Sequence, residues 1–387
     1  MTRVPGPLDD LLIVDLSRVL AGPYATMVLG DLGARVIKVE RPGLGDDSRH
    51  IGPFKASESG AEQSAYFASI NRGKQSIALD LKIPADRTVF EALLARADVL
   101  VENYRPGVMA RLGYGWEAVH ARHPRLIYAA VSGFGQTGPD AHKAAYDMIV
   151  QAMGGIMSVT GHPGGPPTRV GTSVGDITAG LFTVVGIMAA LHDRARTGTG
   201  QLVDVAMLDG QIAILENAVA RYAVSGVAPG PLGARHPSIT PFAAYACKNG
   251  HIVIAAGNDA LWRALLRALK LPDGDPRFAT NASRSEHADA VAALIEGALA
   301  AAPPEHWLPV LDAAGVPCGP LHDVAQALAH PQVVARNMAI STSFPDGSPL
   351  LAAGNPVKLS GHADPAVRPG APELDADRAA IMAELGL

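Results

Sequence analysis

Residues 11–16 form a short apolar run that reads as a buried strand. Ser17-Arg18-Val19-Leu20-Ala21-Gly22-Pro23 breaks it. Residues 24–32 then carry an amphipathic helical pattern, and residues 34–40 alternate as a second strand. Two strands this close, with a helix between them, pair in parallel through a right-handed crossover. Further strand signals at 76–81, 98–103 and 126–131 keep the alternation going. The expectation is an α/β chain whose first 220 residues build a large domain on a parallel sheet.

A chain of 387 residues exceeds what one hydrophobic core usually serves. From residue 221 to 241 the pattern dissolves into Gly, Pro and Ser. Residues 242–256 then read as a hairpin around Lys248-Asn249-Gly250, a favoured tight turn. Helical patterns follow near 261–269, 287–300 and 306–314. We divide the chain into a large domain (1–220), a smaller α+β domain (221–329) and a C-terminal return (330–387) that ends in a helix over 376–385.

Bulk chemistry excludes several functions. The net charge of −5 gives no basis for binding nucleic acid or an anionic membrane. Cys247 and Cys318 make neither a disulfide framework nor a metal spacing, which suits a reducing cytoplasm. No metal site is expected among the 13 histidines, because none falls in H-E-x-x-H or a Cys/His cluster. The apolar run at 178–191 is too short to span a bilayer. Read without a nucleophile elbow or a P-loop, the sequence also points away from serine hydrolysis and P-loop phosphoryl transfer.

One acid stands apart. No Asp or Glu occurs from Met148 to Gly175, and Asp176 then precedes a long apolar stretch. Two readings stay open here: a helix N-cap, or a nucleophile or base. Gly133-Phe134-Gly135-Gln136-Thr137-Gly138 matches the dinucleotide fingerprint, but no acid follows about 20 residues on, so we read it as a tight strand-to-helix passage. Basic residues recur near the strand ends, among them Arg41, Arg49, Arg72, Lys74, Lys82, Arg105 and Arg111. Such an edge suits a phosphate-bearing ligand. Ala255-Ala256-Gly257-Asn258-Asp259 is either a capped turn or a small-residue loop able to close over a site.

Taken together these segments resemble the class III CoA-transferases, the group that includes formyl-CoA transferase, carnitine CoA-transferase and α-methylacyl-CoA racemase. The resemblance rests on Ala21-Gly22-Pro23, Val36-Ile37-Lys38-Val39-Glu40-Arg41-Pro42-Gly43, Asn71-Arg72-Gly73-Lys74 and Val101-Glu102-Asn103-Tyr104-Arg105-Pro106-Gly107. It continues through Gly133 to Pro139, Gly175-Asp176 and Thr197-Gly198-Thr199-Gly200-Gln201. Gly45-Asp46-Asp47-Ser48-Arg49 and Tyr146-Asp147 look most like the succinate–hydroxymethylglutarate CoA-transferase branch. The resemblance implies a Rossmann-like large domain, a smaller domain and an interlocked homodimer. It implies Asp176 as nucleophile, with no permanently bound cofactor and with CoA and acyl-CoA as substrates. It places CoA contacts on Val19, Leu20, Ala21, Arg41, Leu79, Lys82, Asn103, Tyr104, Arg105 and Arg111. The formyl-CoA enzyme's glycine-rich flap corresponds only to the stretch holding Gly257 and Asn258. Racemases of the group carry a catalytic histidine where this chain has Tyr146. A racemase needs an acid–base group on each face of the α-carbon, so transfer is favoured over racemisation.

The chemistry follows from the residues as well. A carboxylate can attack a thioester to give a mixed anhydride and CoA thiolate. The expected activity moves CoA from an acyl-CoA, with succinyl-CoA as first choice, to a free acid, with a dicarboxylate as first choice. The acid's second carboxylate needs a cation, for which Arg49, Arg169, Arg235 and His236 are candidates. The alternatives are an acyl-CoA racemase or epimerase of the same group and a nucleotide-dependent oxidoreductase.

Overall fold

A computed structural model describes residues 5–56, 60 and 62–387. Its strands are β1 (Leu12–Asp15), β2 (Arg35–Glu40), β3 (Phe54–Ala56), β4 (Glu62–Ser64), β5 (Gln75–Ala78), β6 (Val99–Glu102), β7 (Ile127–Ser132), β8 (Leu202–Ala206), β9 (Phe242–Cys247), β10 (Gly250–Ala255), β11 (Cys318–Pro320), β12 (Ala339–Ser343) and β13 (Pro349–Ala353). The first compact unit comprises Met1–Met157, Arg169–Ser225 and Leu328–Leu387; the second comprises Ser158–Thr168 and Gly226–Ala327. These cuts differ from the sequence-based 220/221 and 329/330. The Gly/Pro-rich stretch begins only after a helix at Asn217–Ser225, and residues 158–168 pack with the second unit.

The first unit is built on one six-stranded sheet in the order β5-β2-β1-β6-β7-β8. Every neighbouring pair is parallel. Both faces are buried, and successive residues explain why. Val14, Ile37, Leu100 and Tyr128 face a core that includes Phe90, Leu93 and Ile381. Their neighbours Ile13, Val36, Val101 and Ile127 face another that includes Leu29, Ile187 and Ala190. The helices Ala21–Asp31 and Val174–Thr197 supply that second core. The sequence reading missed β8, whose polar Asp204 interrupts an otherwise apolar run.

The C-terminal return closes the β5 edge. Asp377 and Asp375 accept hydrogen bonds from Ser76 N (2.8 Å) and Ala78 N (2.7 Å), so an edge strand gains side-chain acceptors for its free donors. Arg35 grips Glu384 through two 2.7 Å bonds.

The second unit is smaller. β9 and β10 pair as the expected hairpin, with Asn249 at φ 60° in its turn, and β11 joins the far edge of β10. The helices Asp259–Ala268, Ala288–Leu299 and Pro304–Ala313 bring Leu265, Ile295 and Leu311 against Ile252 and Ile254.

At the carboxyl ends of β1 and β2 lies a buried ion network. Lys74 Nζ is 3.0 Å from Asp15 and Lys38 Nζ 2.8 Å from Asp46, all four side chains sealed from solvent. Removing one member of a buried pair leaves an uncompensated charge, at a typical loss of about 3–5 kcal/mol. Asp15→Ala strips Lys74 of its partner and is expected to lose stability in that range in urea unfolding. Asp10→Ala, at an exposed position, should stay within about 0.5 kcal/mol of the parent.

Candidate active site

In an open parallel sheet, ligands settle where the chain reverses its direction of travel across the strands. Here the strand order turns at β1, so that point lies beyond the ends of β1 and β6. A cavity of about 180 Å³ occupies it. Arg18, Val19, Leu20 and Ala21 line it from the loop after β1, and Asn103, Tyr104 and Arg105 from the loop after β6. Ser132 and Gly133 come from the end of β7, and Lys143 and Tyr146 from the segment beyond. Asp176 completes the wall.

The loop after β1 is held in an unusual shape. Val19 has φ 67°, a left-handed conformation that a β-branched residue adopts only under constraint. Asp46 Oδ1 accepts from Val19 N (3.0 Å), and Lys38 Nζ donates to Ser17 O (2.7 Å). Asn103 closes the other side: its Oδ1 accepts from Arg18 N (2.8 Å) and its Nδ2 donates to Arg18 O (2.7 Å). The helix Ala21–Asp31 starts directly after this turn without a side-chain cap or a first-turn acid of its own. Its Ala21 N–H instead meets the carboxylate of Asp176.

Asp176 sits in the first turn of Val174–Thr197, not at the N-cap, which is Ser173. This departs from the capping alternative. The capping bond comes from another element: Asp147 Oδ1 accepts from Gly175 N at 2.8 Å. A Cβ on residue 175 would lie 3.1 Å from that oxygen and 2.7 Å from Val150 Cγ2, so a glycine lets the two helix starts meet. Gln151 Nε2 donates to the other Asp147 oxygen (2.8 Å), and Arg169 lies 3.6 Å from it. Burial, reinforced by the charge of Asp147, pushes the Asp176 carboxyl up to about 7; the Ala21 N–H opposes the shift.

The other expected residues fall into groups. Val19, Leu20, Ala21, Asn103, Tyr104, Arg105 and Tyr146 share the cavity with Asp176. Arg41 and Tyr104 line an adjacent cavity of about 130 Å³ beside Lys38 and Asp46. Lys82 and Arg111 are exposed, and among the described residues neither they nor Arg41 and Arg105 form an ion pair. Leu79 lies in the core cluster beneath the sheet, so its side chain is closed to a ligand. Arg49 is not a free cation: Glu40 binds it through two 2.8 Å bonds and it lies 3.7 Å over the Phe67 ring. Arg169 lies against Asp147.

Four more belong to the second unit. Arg235 pairs with Asp289 at 2.6 Å, and His236 stacks on Phe242 while its Nδ1 accepts from Ser238 N. Asn258 is the N-cap of Asp259–Ala268, accepting from Leu261 N, with Gly257 exposed just before it.

The sequence also hid several things. Tyr66 has its phenol pushed up to about 12 by burial and then by Asp176, Asp46 and Asp147. Its only local signal was the Ser64 cap of a short helix. Gly171-Thr172-Ser173-Val174-Gly175 does match the G-x-S-x-G spacing, contrary to the reading above. No strand leads into it, however, so it lacks the strand-to-helix elbow that exposes such a serine. The glycines at 133–138 act as expected at a close passage: a Cβ on Gly133 would stand 2.4 Å from that of Ala145, and Gly135 and Gly138 have φ 84° and 93°.

Residues 8–378 match the family described as CoA-transferase family III. An acetyl-CoA:oxalate CoA-transferase of Acetobacter aceti is 50% identical, over 98% of this chain and 96% of its own length. A succinyl-CoA:mesaconate CoA-transferase of Haloarcula hispanica is 39% identical over 99% and 97% of the two chains. The crystal structure of a CaiB/BaiF family protein from Brucella suis superposes with a TM-score of 0.86 at 41% identity, covering 98% of this chain and all of that one. With likeness running nearly from end to end, the chain belongs to CoA-transferase family III and is a CoA-transferase.

Proposed function

We propose that the enzyme moves CoA from a short acyl-CoA to a free dicarboxylic acid through covalent intermediates on Asp176. The observation that carries this reading is a half-buried carboxyl, with a raised pKa, in the wall of the switch-point cavity. The relatives named for oxalate and mesaconate support a dicarboxylate acceptor, and acetyl-CoA or succinyl-CoA as donor.

Asp176 attacks the donor thioester and expels CoA thiolate, leaving an acyl–aspartyl anhydride. The thiolate attacks the aspartyl carbonyl, releasing the donor acid and forming an aspartyl thioester. The acceptor carboxylate displaces the thiolate to make a new anhydride. Thiolate attack on the acceptor's carbonyl then releases the new acyl-CoA and restores Asp176. Arg41, Lys82, Arg105 and Arg111 are the cations we assign to the CoA phosphates. The Ala21 N–H, at the start of its helix, can meet an oxyanion as well as the carboxylate. Tyr146 stands where a racemase needs its histidine, which sets that alternative aside.

We read the assembly as an interlocked homodimer in a reducing cytoplasm. Met148 and Met153 on one helix and Phe182 and Val185 on the helix packed beside it are exposed apolar side chains of the first unit, as is Tyr222. The helix Val174–Thr197 is long and apolar enough, by length and composition, to cross a membrane. This exceeds the 178–191 run on which the sequence reading relied. Its Ala179, Thr183, Ile187 and Ala190 are buried in the first unit, however, so a protein partner fits its open face better than lipid. Light scattering should return twice the 40.0 kDa chain mass; a monomer at micromolar concentration would refute this reading.

Asp176→Ala is expected to lower transfer at least about a thousandfold while acyl-CoA still binds. Hydroxylamine quenching during turnover should mark residue 176 in the parent enzyme; an unmarked peptide with normal turnover overturns the mechanism.

The pH behaviour has a definite sign. A carboxyl with a raised native pKa favours its neutral form, so native stability falls as pH rises from about 4 through about 7. Asp176→Asn should therefore melt higher than the parent at pH 8, by on the order of 2 kcal/mol, and match it near pH 4. Transfer needs the anion, so kcat/KM of the parent should climb through about pH 7.

A further inference from the structure

We propose that Lys143 is the cation that receives the free carboxylate of the acceptor acid. This rests on the transferase reading above. A dicarboxylate entering this cavity brings two negative charges to a wall that already holds Asp176, with Asp147 close behind. Such a ligand needs a counter-charge that can be released to it. Three cations line the cavity: Arg18, Arg105 and Lys143.

Two of them are placed for other work. Arg18 is paired with the exposed Asp47 (3.2 Å) and also lies 5.2 Å from the Tyr104 ring centre, so it would give up two contacts where Lys143 gives up one. Arg105 is exposed on the loop after β6 and is assigned above to the CoA phosphates. Lys143 belongs to a third segment, three residues before Tyr146. That segment is set directly on the end of β7, since Ala145 fills the space beside Gly133. Its partner is Asp140, at 2.8 Å, with both side chains well exposed. Such a surface pair is worth at most about 1 kcal/mol, so an incoming carboxylate can replace it. The small side chains of Ala144 and Ala145 leave the approach open. Lys143 thus has the charge, the position and the exchangeable partner that Arg49, held by Glu40, and Arg169, held against Asp147, lack.

The test compares acceptors. With acetyl-CoA as donor, Lys143→Gln should raise KM for oxalate and succinate about tenfold or more, the usual effect of losing one charge-assisted hydrogen bond. Transfer to propionate, which has no second carboxylate, should stay within about twofold, and Lys143→Arg should recover part of the loss. Asp140→Asn, which frees the lysine, should leave dicarboxylate KM unchanged or lower. Equal losses for propionate and oxalate would assign Lys143 a structural role and overturn the proposal. So would a rise in KM for acyl-CoA alone, or no change at all. Oxalate binding in the presence of CoA, followed by calorimetry, should weaken by the same factor without any turnover. If the parent enzyme transfers CoA to no acid, the transferase reading fails, while this titration still decides the place of Lys143.

Discussion

Asp15 accepts from a fully buried lysine, Lys74, and sits in the field of a second, Lys38. Lys38 in turn holds Asp46, and Glu40 holds Arg49. Three acids and three bases thus neutralise one another at the carboxyl ends of β1 and β2. Burying such pairs contributes little net stability, because desolvation offsets attraction. Their consequence is positional. Lys38 and Asp46 grip the backbone at Ser17 and Val19, and Asn103 grips it at Arg18. A left-handed valine survives only because its neighbours are fixed this firmly. The helix that begins at Ala21 therefore starts in one place, with its first N–H directed at the acid that performs the chemistry.

Two helix starts meet at that acid. The one carrying Asp176 is capped by Asp147 from a third element, and the one beginning at Ala21 brings its first N–H near enough to Asp176 to favour the anion. An exposed acid in a first helical turn is stabilised by the helix dipole. Here burial and Asp147 outweigh that effect, since Asp176 is harder to ionise than an ordinary aspartate. Asp147 is itself satisfied by Gly175, Gln151 and Arg169. Two carboxyls on adjacent turns are thereby driven to different tasks: one organises backbone, the other is kept short of solvation and basic.

The sequence revealed the fold where physics is local. Buried strands with two apolar faces betray a parallel sheet, and Asn249-Gly250 betrays a hairpin. β8 escaped because Asp204 stands in it, accepting from Gln136 N across to the β7 loop, a long-range partner no window could show. Asp176 was legible as a lone acid in an acid-free stretch. Its neighbours were not: Tyr66 and Asp147 lie 110 and 29 residues away and converge only in space. Arg49 misled for the complementary reason. Its charge was visible in sequence, while its neutralisation by Glu40, nine residues earlier at the end of β2, was not.

A carboxylate is a weak nucleophile in water because solvent holds its charge. Raising its pKa by burial makes each ionised molecule more basic, at the cost of a smaller ionised fraction. A value near 7 balances the two close to neutral pH. The same burial protects an anhydride, which water would otherwise destroy. One physical cause, withdrawal of Asp176 from solvent, thus activates the attacking group and preserves its product. The enzyme bears this as a destabilised native state, and the buried charges around Asp15 keep the loop beside it from relaxing to relieve that cost.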